Sequence, residues 1–535
     1  MTLWRKEPNF QLKILGYFAF TLMSAALVLG GWTPYPKTLS QFPNPEIGIL
    51  VLGALFYILR IIRGFFKGDL APFEWGELDA QFLFRWMWVF FGAAFLKAAW
   101  LDYASFHSSA LDASMYDYAM MNTLRGRFMV AAMGVDHFGI HATPVLFLLL
   151  PFHWIFHSAL FSIFLHPLLL LAGAILFEIC LKRRGMNDFW RAGIIFSYLS
   201  ATWVSLTLHY GFHVEVFYPI FIFLIDLSLH PLKLNKRYSW IPFWSATLLF
   251  LSIKEDAPFH LVALLAAYWI CRKVSFQRMV IGCVVSACIA VLYLKVIIPN
   301  HAGGGTYHFV GAASGAGSTL GEAVLYLIAH PLYFFSRYLT GGWWTFVLPS
   351  LGVLLFSPFF WIASLPLLGL YSLAGDSQMF HLTVYYSIPL VPIFFLGMAE
   401  GFERAKRISP LLPLVAMFAL VFTGSGYLIF RRTDLQKFVQ TESALKSIPS
   451  DAVVCAPASV FPHLPYGEAR LIDRKCLESA EFAIIPVERE GLSLYPYDEK
   501  YFSTLKKSLI YWKKLDELSG DVIEVYQKPD SSVKI

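Results

Sequence analysis

Residues 159–181 read ALFSIFLHPLLLLAGAILFEICL, and this stretch indicates the fold class more directly than any other. Its one charged side chain is Glu178, close to the end. The stretch is as long as the run of about 20 apolar residues that an α-helix needs to cross a bilayer. The basic cluster Lys182-Arg183-Arg184 follows it directly, as is typical of a cytoplasmic helix end. The sequence therefore predicts a membrane-spanning helix here.

The same apolar character extends over the chain of 535 residues, of which 57% are hydrophobic and only 15% are charged. A soluble domain carries about a quarter of charged residues, so a water-soluble enzyme is excluded. The apolar content also excludes a disordered chain, and Gly and Pro follow no repeating period that would indicate a fibrous one. A polytopic membrane protein remains. The net charge of +6 comes from short clusters between apolar runs, which indicates cytoplasmic loops rather than nucleic-acid binding.

Apolar runs of about 15 to 22 residues predict roughly thirteen spans in an all-α membrane protein. They lie near residues 11–32, 46–66, 83–100, 159–181, 190–208, 216–232, 240–254, 257–271, 279–298, 343–357, 359–373, 382–399 and 410–430. The basic clusters all fall on the cytoplasmic side if the short segment 143–157 is interfacial rather than spanning. The first run is expected to be a retained span, which places the N-terminus in the cytoplasm.

This topology divides the chain into three parts. Residues 1–80 are predicted to be N-terminal transmembrane spans, 81–430 a transmembrane core with a long extracytoplasmic loop at 101–158, and 431–535 an extracytoplasmic domain. The last part has a higher charge density, and its short apolar stretches alternate with polar, helix-like pieces, which is typical of a small α/β domain. It contains Cys455 and Cys476, for which a disulfide in an oxidising periplasm and two free thiols both remain open.

Ionisable and histidine side chains near the apolar runs gather on the non-cytoplasmic side. Such groups are costly at membrane depth and usually mark a site or a pathway. The pattern predicts a polar cavity that opens outward. The residues on that side include Asp112, Asp117, Asp136, His137, His213, Glu215, Lys254, Glu255, Asp256, Arg337 and His381.

Two carboxylates of the long loop are the first catalytic candidates. On a helix Asp112 and Tyr116 share a face, whereas Asp117 points in another direction, so a single ligand would meet one carboxylate more easily than both. A carboxylate fixed beside a sugar-sized cavity can act as a general base. Alternatively, Asp112 or Asp117 only caps an interfacial helix, and spacing alone favours that interpretation.

The loop resembles the first extracytoplasmic loop of the GT-C glycosyltransferases, with Asp112, Tyr116 and Gly126 at the matching positions. From about residue 80 onward the chain is more closely similar to an uncharacterised family of bacterial and archaeal polytopic membrane proteins allied to those enzymes. The shared motifs are Asp112 with Asp117, Asn122-Thr123 with Gly126-Arg127, Asp136-His137-Phe138, Phe212-His213-Val214-Glu215, Lys254-Glu255-Asp256-Ala257, and His381 before Pro389. Leu111, Ser114, Tyr118 and Val214 depart from the family pattern, and none of these departures removes an ionisable group.

The resemblance implies a GT-C-like helical fold and a glycosyltransferase with an outward-facing site in the cell inner membrane. The donor would be a polyprenyl-phosphate-linked sugar, the reaction would invert the anomeric centre, and the acceptor would be a lipid, a glycan or a protein. Asp112 or Asp117 would be the base, and Lys254 or Arg337 would bind the donor phosphate. The residues implied to line the cavity are Tyr116, Arg127, Asp136, His137, His213, Glu215, Glu255, Asp256 and His381.

Several alternatives stay open. Lys254 and Arg337 could each equally be an interfacial anchor of a helix, and for Arg337 this interpretation is slightly favoured. His213 with Glu215, and Glu255 with Asp256, could bind a divalent metal ion together with His137, or could only join span ends by hydrogen bonds. The alternative function is a transporter or lipid flippase without covalent chemistry, although the paired halves of such proteins are not found here. A third is an assembly factor whose C-terminal domain is the working part.

Overall fold

The computed structural model describes residues 77–106, 110–229, 240–302, 320–340, 344–372, 384–409, 411–424, 435–487, 499–520 and 523–529. Within them the chain is mostly helical, with one small sheet near the C-terminus. The helices before the sheet are α1 (Glu77–Ala104), α2 (Ala110–Leu124), α3 (Leu150–Phe156), α4 (Ala159–Arg183), α5 (Asp188–Ser200), α6 (Thr202–Thr207), α7 (Phe217–Leu229), α8 (Ile241–Leu251), α9 (Ala257–Ile270), α10 (Phe276–Val291), α11 (Ile298–His301), α12 (Leu320–Ala329), α13 (Pro331–Thr340), α14 (Trp344–Val347), α15 (Leu351–Leu354), α16 (Pro358–Ala363), α17 (Leu365–Ser372), α18 (Leu390–Ile408), α19 (Leu411–Gly424) and α20 (Leu435–Lys446).

A five-stranded sheet forms in the C-terminal segment. Its elements are β1 (Val453–Ala456), β2 (Glu468–Leu471), α21 (Arg474–Ser479), β3 (Phe482–Pro486), α22 (Glu499–Ser508), β4 (Lys513–Lys514) and β5 (Ile523–Gln527). The strand order is β2-β1-β3-β5-β4, with β1 parallel to β2 and β3 and with β5 antiparallel to β3 and β4. All five residues of β3 are buried, as expected for a central strand covered on both faces. Cys455 and Cys476 form a disulfide between β1 and α21.

Two helices of the described residues are long and apolar enough to cross a membrane. They are α4 and the continuous helix Phe276–His301, which contains α10, a π-helical turn and α11. Helices α8 and α9 are apolar but shorter. The predicted spans at 11–32 and 46–66 lie outside the described residues. The count of thirteen spans therefore stays a prediction.

Some predicted spans are interrupted where the backbone leaves the helical conformation. The predicted span 190–208 divides into α5 and α6 at Ala201, whose φ of −60° and ψ of 139° are extended. The predicted span 343–357 becomes short helical turns, with Pro349 inside one of them and Pro358 at the start of the next helix. Proline lacks the backbone N–H that would continue a helix, so apolar runs containing it need not form one straight helix.

The segment predicted to be interfacial forms a 3-10 turn at Pro144–Leu148 followed by α3. Helix α3 has seven residues, and His157 ends it with a φ of +48°. Seven helical residues rise about 10 Å, which is too short for the hydrocarbon core of a bilayer. The chain then turns at Ser158 and enters α4.

The C-terminal segment packs against α2. The Tyr118 hydroxyl donates to the backbone carbonyl of Phe461 at 3.3 Å, and the Arg125 guanidinium donates to the carbonyl of Tyr466 at 2.6 Å. Phe438 and Phe461 belong to the same hydrophobic core as the buried residues of α1 and α2. The sheet and the long loop therefore lie on the same side of the helical core.

Candidate functional site

The first turn of α2 carries Asp112, whose side chain is 47% exposed. His213 Nε2 lies 3.4 Å from Asp112 Oδ2, and the Tyr385 hydroxyl hydrogen-bonds the same carboxylate. Gly211, with a φ of +72°, lets this turn approach α2, because a Cβ there would lie 2.9 Å from Ala113 Cβ.

A buried ion pair lies beside Asp112. The Lys254 ammonium donates to Glu215 Oε1 at 2.8 Å, with side-chain exposures of only 10% and 4%. Lys254 lies in the turn between α8 and α9, and Glu215 follows His213 in the turn before α7. Both charges act on Asp112. The structure thus brings a carboxylate with access to solvent within electrostatic range of a fixed cation.

Glu255 holds the following part of the long loop against the same turn. Its two carboxylate oxygens accept from His141 Nδ1 at 2.8 Å and from the backbone N–H of Ala142 at 3.0 Å. His137 Nε2 contacts Thr143 Oγ1 at 2.8 Å, and its ring lies edge-on to that of Tyr116 at 5.1 Å. These contacts fix the loop from 137 to 143 over the Lys254 turn.

The second acidic residue of that turn, Asp256, faces the helices. Asp256 Oδ1 accepts from the Tyr218 hydroxyl at 2.5 Å, and His260 Nε2 lies 3.7 Å from Asp256 Oδ2. Tyr218 is on α7 and His260 on α9, so Asp256 joins two helices beneath the cluster. These contacts indicate that Asp256 holds α7 and α9 in position relative to the cluster.

Burial sets the protonation states of the groups in the long loop and the 209–216 turn. It raises the pKa of Asp112, while His141 and the hydrogen bond from Tyr385 oppose the rise. It lowers the pKa of His137 to about 3 and that of His213 well below the usual histidine value. Both imidazoles are therefore neutral near pH 7, and Asp112 holds a proton more readily than an exposed aspartate.

Other candidate residues lie elsewhere. Asp117 points away from Asp112 into a separate buried set of hydrogen bonds with Ser162. Asp136 caps the turn His137–Gly139 and pairs with His301 Nδ1 at 2.7 Å. Arg127 is exposed after α2, Arg337 is half-buried on α13, and His381 lies outside the described residues.

Within the described residues, no group of three or more His, Cys, Asp or Glu side chains is arranged to hold a metal ion. His137 contacts Thr143, whereas Glu215 is taken by Lys254 and Glu255 by His141. In the described part of the site, the carboxylates suggested as metal ligands are thus engaged in ion pairs and hydrogen bonds.

Sequence reasoning missed two tyrosines at this site. Tyr385 packs against His213 with tilted rings whose centroids are 3.7 Å apart, besides its hydrogen bond to Asp112, and Tyr218 binds Asp256. Tyrosines near span ends are common at membrane interfaces, so neither residue carried a signal of its own in the sequence.

A family model described as a predicted membrane protein (DUF2079) matches residues 102–472. No curated protein matches the sequence. Six chains of solved structures match, among them two crystal structures of ArnT from Cupriavidus metallidurans. The structure bound to undecaprenyl phosphate is 11% identical, covers 82% of this chain and 98% of its own, and has a TM-score of 0.49. The apo structure is 11% identical, covers 81% and 96%, and has a TM-score of 0.47. TM-scores below 0.5 at this identity do not by themselves define a common fold.

Proposed function

Because the chain belongs to the DUF2079 family of predicted membrane proteins, we propose that it is a membrane-embedded glycosyltransferase with a GT-C-like fold. It takes a sugar from a polyprenyl-phosphate-linked donor and transfers it, with inversion, to a lipid, glycan or protein acceptor. The proposal is supported by one arrangement above all. A partly exposed carboxylate, Asp112, lies beside the buried cation Lys254 in a membrane protein.

Asp112 is the proposed general base. An acceptor hydroxyl is a poor nucleophile until its proton is removed as attack proceeds. In the proposed step the acceptor oxygen forms a bond to the anomeric carbon, and the bond from that carbon to the phosphate oxygen breaks. The acceptor proton passes to Asp112, and the electron pair leaves with the polyprenyl phosphate. The raised pKa of Asp112 makes it a stronger base than an ordinary aspartate, while His213 and Tyr385 fix its orientation.

Lys254 is the proposed partner of the leaving phosphate. As the bond to the sugar breaks, negative charge gathers on the phosphate, and a nearby ammonium stabilises it. An ammonium group has three donors, and Lys254 uses one of them at 2.8 Å on Glu215. Glu215 thereby holds the ammonium in place. Arg337, on α13, remains the second candidate for a phosphate contact.

The surrounding residues are proposed to shape the cavity. Tyr116 and His137 pack edge-on beside the base, and Glu255 fixes the loop above it. Asp256 orders the helices below. The C-terminal sheet, which packs on α2, is proposed to help bind the acceptor.

We further propose that the site faces outward from the cell inner membrane. The disulfide Cys455–Cys476 lies in the segment that packs on α2, and disulfides persist in oxidising compartments such as the periplasm. The basic residues at the ends of α4 and α18 fit a cytoplasmic location for those ends.

The test is sugar transfer by the purified full chain in lipid nanodiscs, using a panel of radiolabelled polyprenyl-phosphate sugars with a total membrane-lipid and glycan extract as acceptor. We expect turnover with at least one donor, and a loss of about 100-fold or more in Asp112→Asn. Asp451→Asn is the matched control, because Asp451 is exposed in the C-terminal segment. Its turnover is expected to equal that of the unmodified chain.

Two results would count against the proposal. Absence of turnover with every donor, together with passage of the same lipid-linked sugars across the bilayer of proteoliposomes, would favour the flippase alternative. Full turnover in Asp112→Asn would remove Asp112 as the base.

A further inference from the structure

Three side chains form a buried, hydrogen-bonded set that includes one residue of α2. Ser162 Oγ donates to Asp117 Oδ1 at 2.9 Å, and His153 Nε2 lies 3.0 Å from both of these oxygens. The Ser162 hydroxyl already donates its proton to Asp117, so the Nε2–H group of His153 donates toward Asp117 Oδ1 and Ser162 Oγ. The side chains of Asp117 and His153 are 3% and 0% exposed. No substrate could reach Asp117 without breaking this set.

The set joins three helices and faces a fourth element. Asp117 is on α2, His153 on α3 and Ser162 in the first turn of α4. The Tyr466 hydroxyl of the C-terminal segment lies beside Asp117. Because five residues along a helix correspond to about 140° of rotation, Asp117 faces these elements while Asp112 faces the candidate site.

Helix α3 presents an apolar outer face opposite His153. Trp154, Ile155 and Phe156 are 64%, 62% and 58% exposed, and Phe152 is 49% exposed. Two residues after α3 the chain enters α4, which is long and apolar enough to cross a membrane. A short helix with Trp and Phe on its outer face, continuous with a spanning helix, fits the headgroup region of a bilayer.

We propose that Asp117, His153 and Ser162 form a positioning lock that holds α2 to the lipid-seated helix α3 and thereby fixes the height of Asp112 relative to the bilayer. A polyprenyl-phosphate donor presents its reacting bond at the headgroup level, so the base must be held at that level. The positioning role rests on the proposed function, whereas the seating of α3 in lipid and the lock itself do not. Asp117 is thus a positioning residue and Asp112 the base.

The first measurement reports on position alone. A nitroxide is attached to Ile155→Cys in the full chain in phosphatidylethanolamine/phosphatidylglycerol nanodiscs, after the four unpaired cysteines have been replaced. We expect dissolved oxygen to enhance the spin relaxation of this nitroxide more than a water-soluble nickel chelate does. The control label at Tyr511→Cys, which is 86% exposed on the C-terminal segment, should show the reverse. A water-exposed label at 155 would overturn the seating of α3 in lipid.

The second measurement tests the lock. His153→Ala should make the label at 155 more mobile, and His153→Gln should restore its spectrum because the glutamine amide can donate from a position close to Nε2. The control is His330→Ala, since His330 is an exposed histidine between α12 and α13, outside the set and outside α3, and its replacement should leave the label unchanged. An unchanged label in His153→Ala would overturn the lock, and Ser162→Ala provides a milder variant if His153→Ala does not fold.

The third measurement is kinetic. His153→Ala and Asp117→Ala should lower kcat for sugar transfer by about 100-fold with little change in the donor KM, since misplacement of about 1 Å can have that effect. His153→Gln should recover most of the kcat. A rise in KM alone would contradict the positioning role. If the unmodified chain transfers no sugar, the proposed function fails, while the label measurements still decide whether the lock exists.

Discussion

The approach of His213 to Asp112 depends on one glycine. Gly211 has a φ of +72°, and a Cβ at this position would lie 2.9 Å from Ala113 Cβ on α2. We expect Gly211→Ala to lower the free energy of unfolding by more than about 1 kcal/mol, because both the backbone conformation and the close contact oppose a side chain. Turnover should also fall, since the turn carrying His213 would move away from Asp112. Thermal unfolding and sugar transfer in nanodiscs measure the two effects.

Gly126→Ala is the matched control for this prediction. Gly126 has a φ of +82°, but a Cβ there would meet nothing within 4 Å. It therefore reports the cost of the backbone conformation without the contact. Equal losses of stability in the two variants, with full turnover in Gly211→Ala, would contradict the importance of the contact.

The sequence identifies the charged residues of the site but not their partners. Asp112, His213 and Lys254 stand out because ionisable groups are rare among apolar runs. Asp112 and His213 are separated by 101 residues, and the Gly211 turn that joins them gives no local sign of its target. The helical spacing correctly separates the directions of Asp112 and Asp117. The set that Asp117 forms with His153 and Ser162 requires the fold of three helices to be known.

The stabilisation provided by the contact between α20 and α1 is predicted to be lost at acid pH. Glu442 on α20 accepts from the Tyr103 hydroxyl of α1 at 2.8 Å and pairs with Lys446 at 2.8 Å and with His463 at 2.5 Å. Burial alone would raise the pKa of Glu442, but the hydrogen bonds from His463, Lys446 and Tyr103 lower it from 4.5 to about 2. The folded state therefore favours the carboxylate. The resulting stabilisation is fully present above the unfolded pKa and is lost as the pH falls from about 4.5 to about 2.

We expect Glu442→Gln to lower the Tm at pH 7. Between pH 4.5 and the lowest pH that the nanodiscs tolerate, the Tm of this variant should fall less than that of the unmodified chain. Glu517→Gln, in an exposed position of the C-terminal segment, is the control and should follow the unmodified chain. Differential scanning calorimetry provides both curves. If Glu442→Gln kept the full acid dependence, the stabilising role of this carboxylate would be wrong.

Elements were predictable where a local pattern determines them. The apolar run 159–181 forms α4, and the short apolar stretches near residues 453 and 483 form β1 and β3, which pair in parallel. Breaks within apolar runs were not predicted, as at Ala201 between α5 and α6. Hydropathy measures transfer into an apolar environment and carries little information on where a buried backbone changes direction.

The orientation of the whole molecule can be tested with cysteines. In a background that retains only the Cys455–Cys476 disulfide, Tyr511→Cys should react with a membrane-impermeant maleimide in intact cells. Ile408→Cys, 65% exposed at the end of α18 after a basic cluster, is the matched probe for the other side. It should react only after the membrane has been opened. The reverse pattern would place the C-terminal segment and the candidate site in the cytoplasm.

The candidate site is a property of the complete fold, because Asp112 comes from the first turn of α2, whereas Lys254, Glu215 and Glu255 come from turns between other helices. The resemblance of separate motifs to one family indicated that these turns belong together. The distances show which side chains meet. We propose that the two groups divide the roles, with Asp112 acting on the acceptor and Lys254 on the donor phosphate.

The most direct measurement compares polyprenyl-phosphate binding, by native mass spectrometry, with sugar transfer in the same nanodisc preparations. Asp112→Asn should bind polyprenyl phosphate as the unmodified chain does, yet transfer sugar at least about 100-fold more slowly. The variant Lys254→Gln with Glu215→Gln, which removes both charges of the buried pair together, should lose most of the binding. Transfer at the normal rate by Asp112→Asn, or unchanged binding by the double variant, would contradict the division of roles.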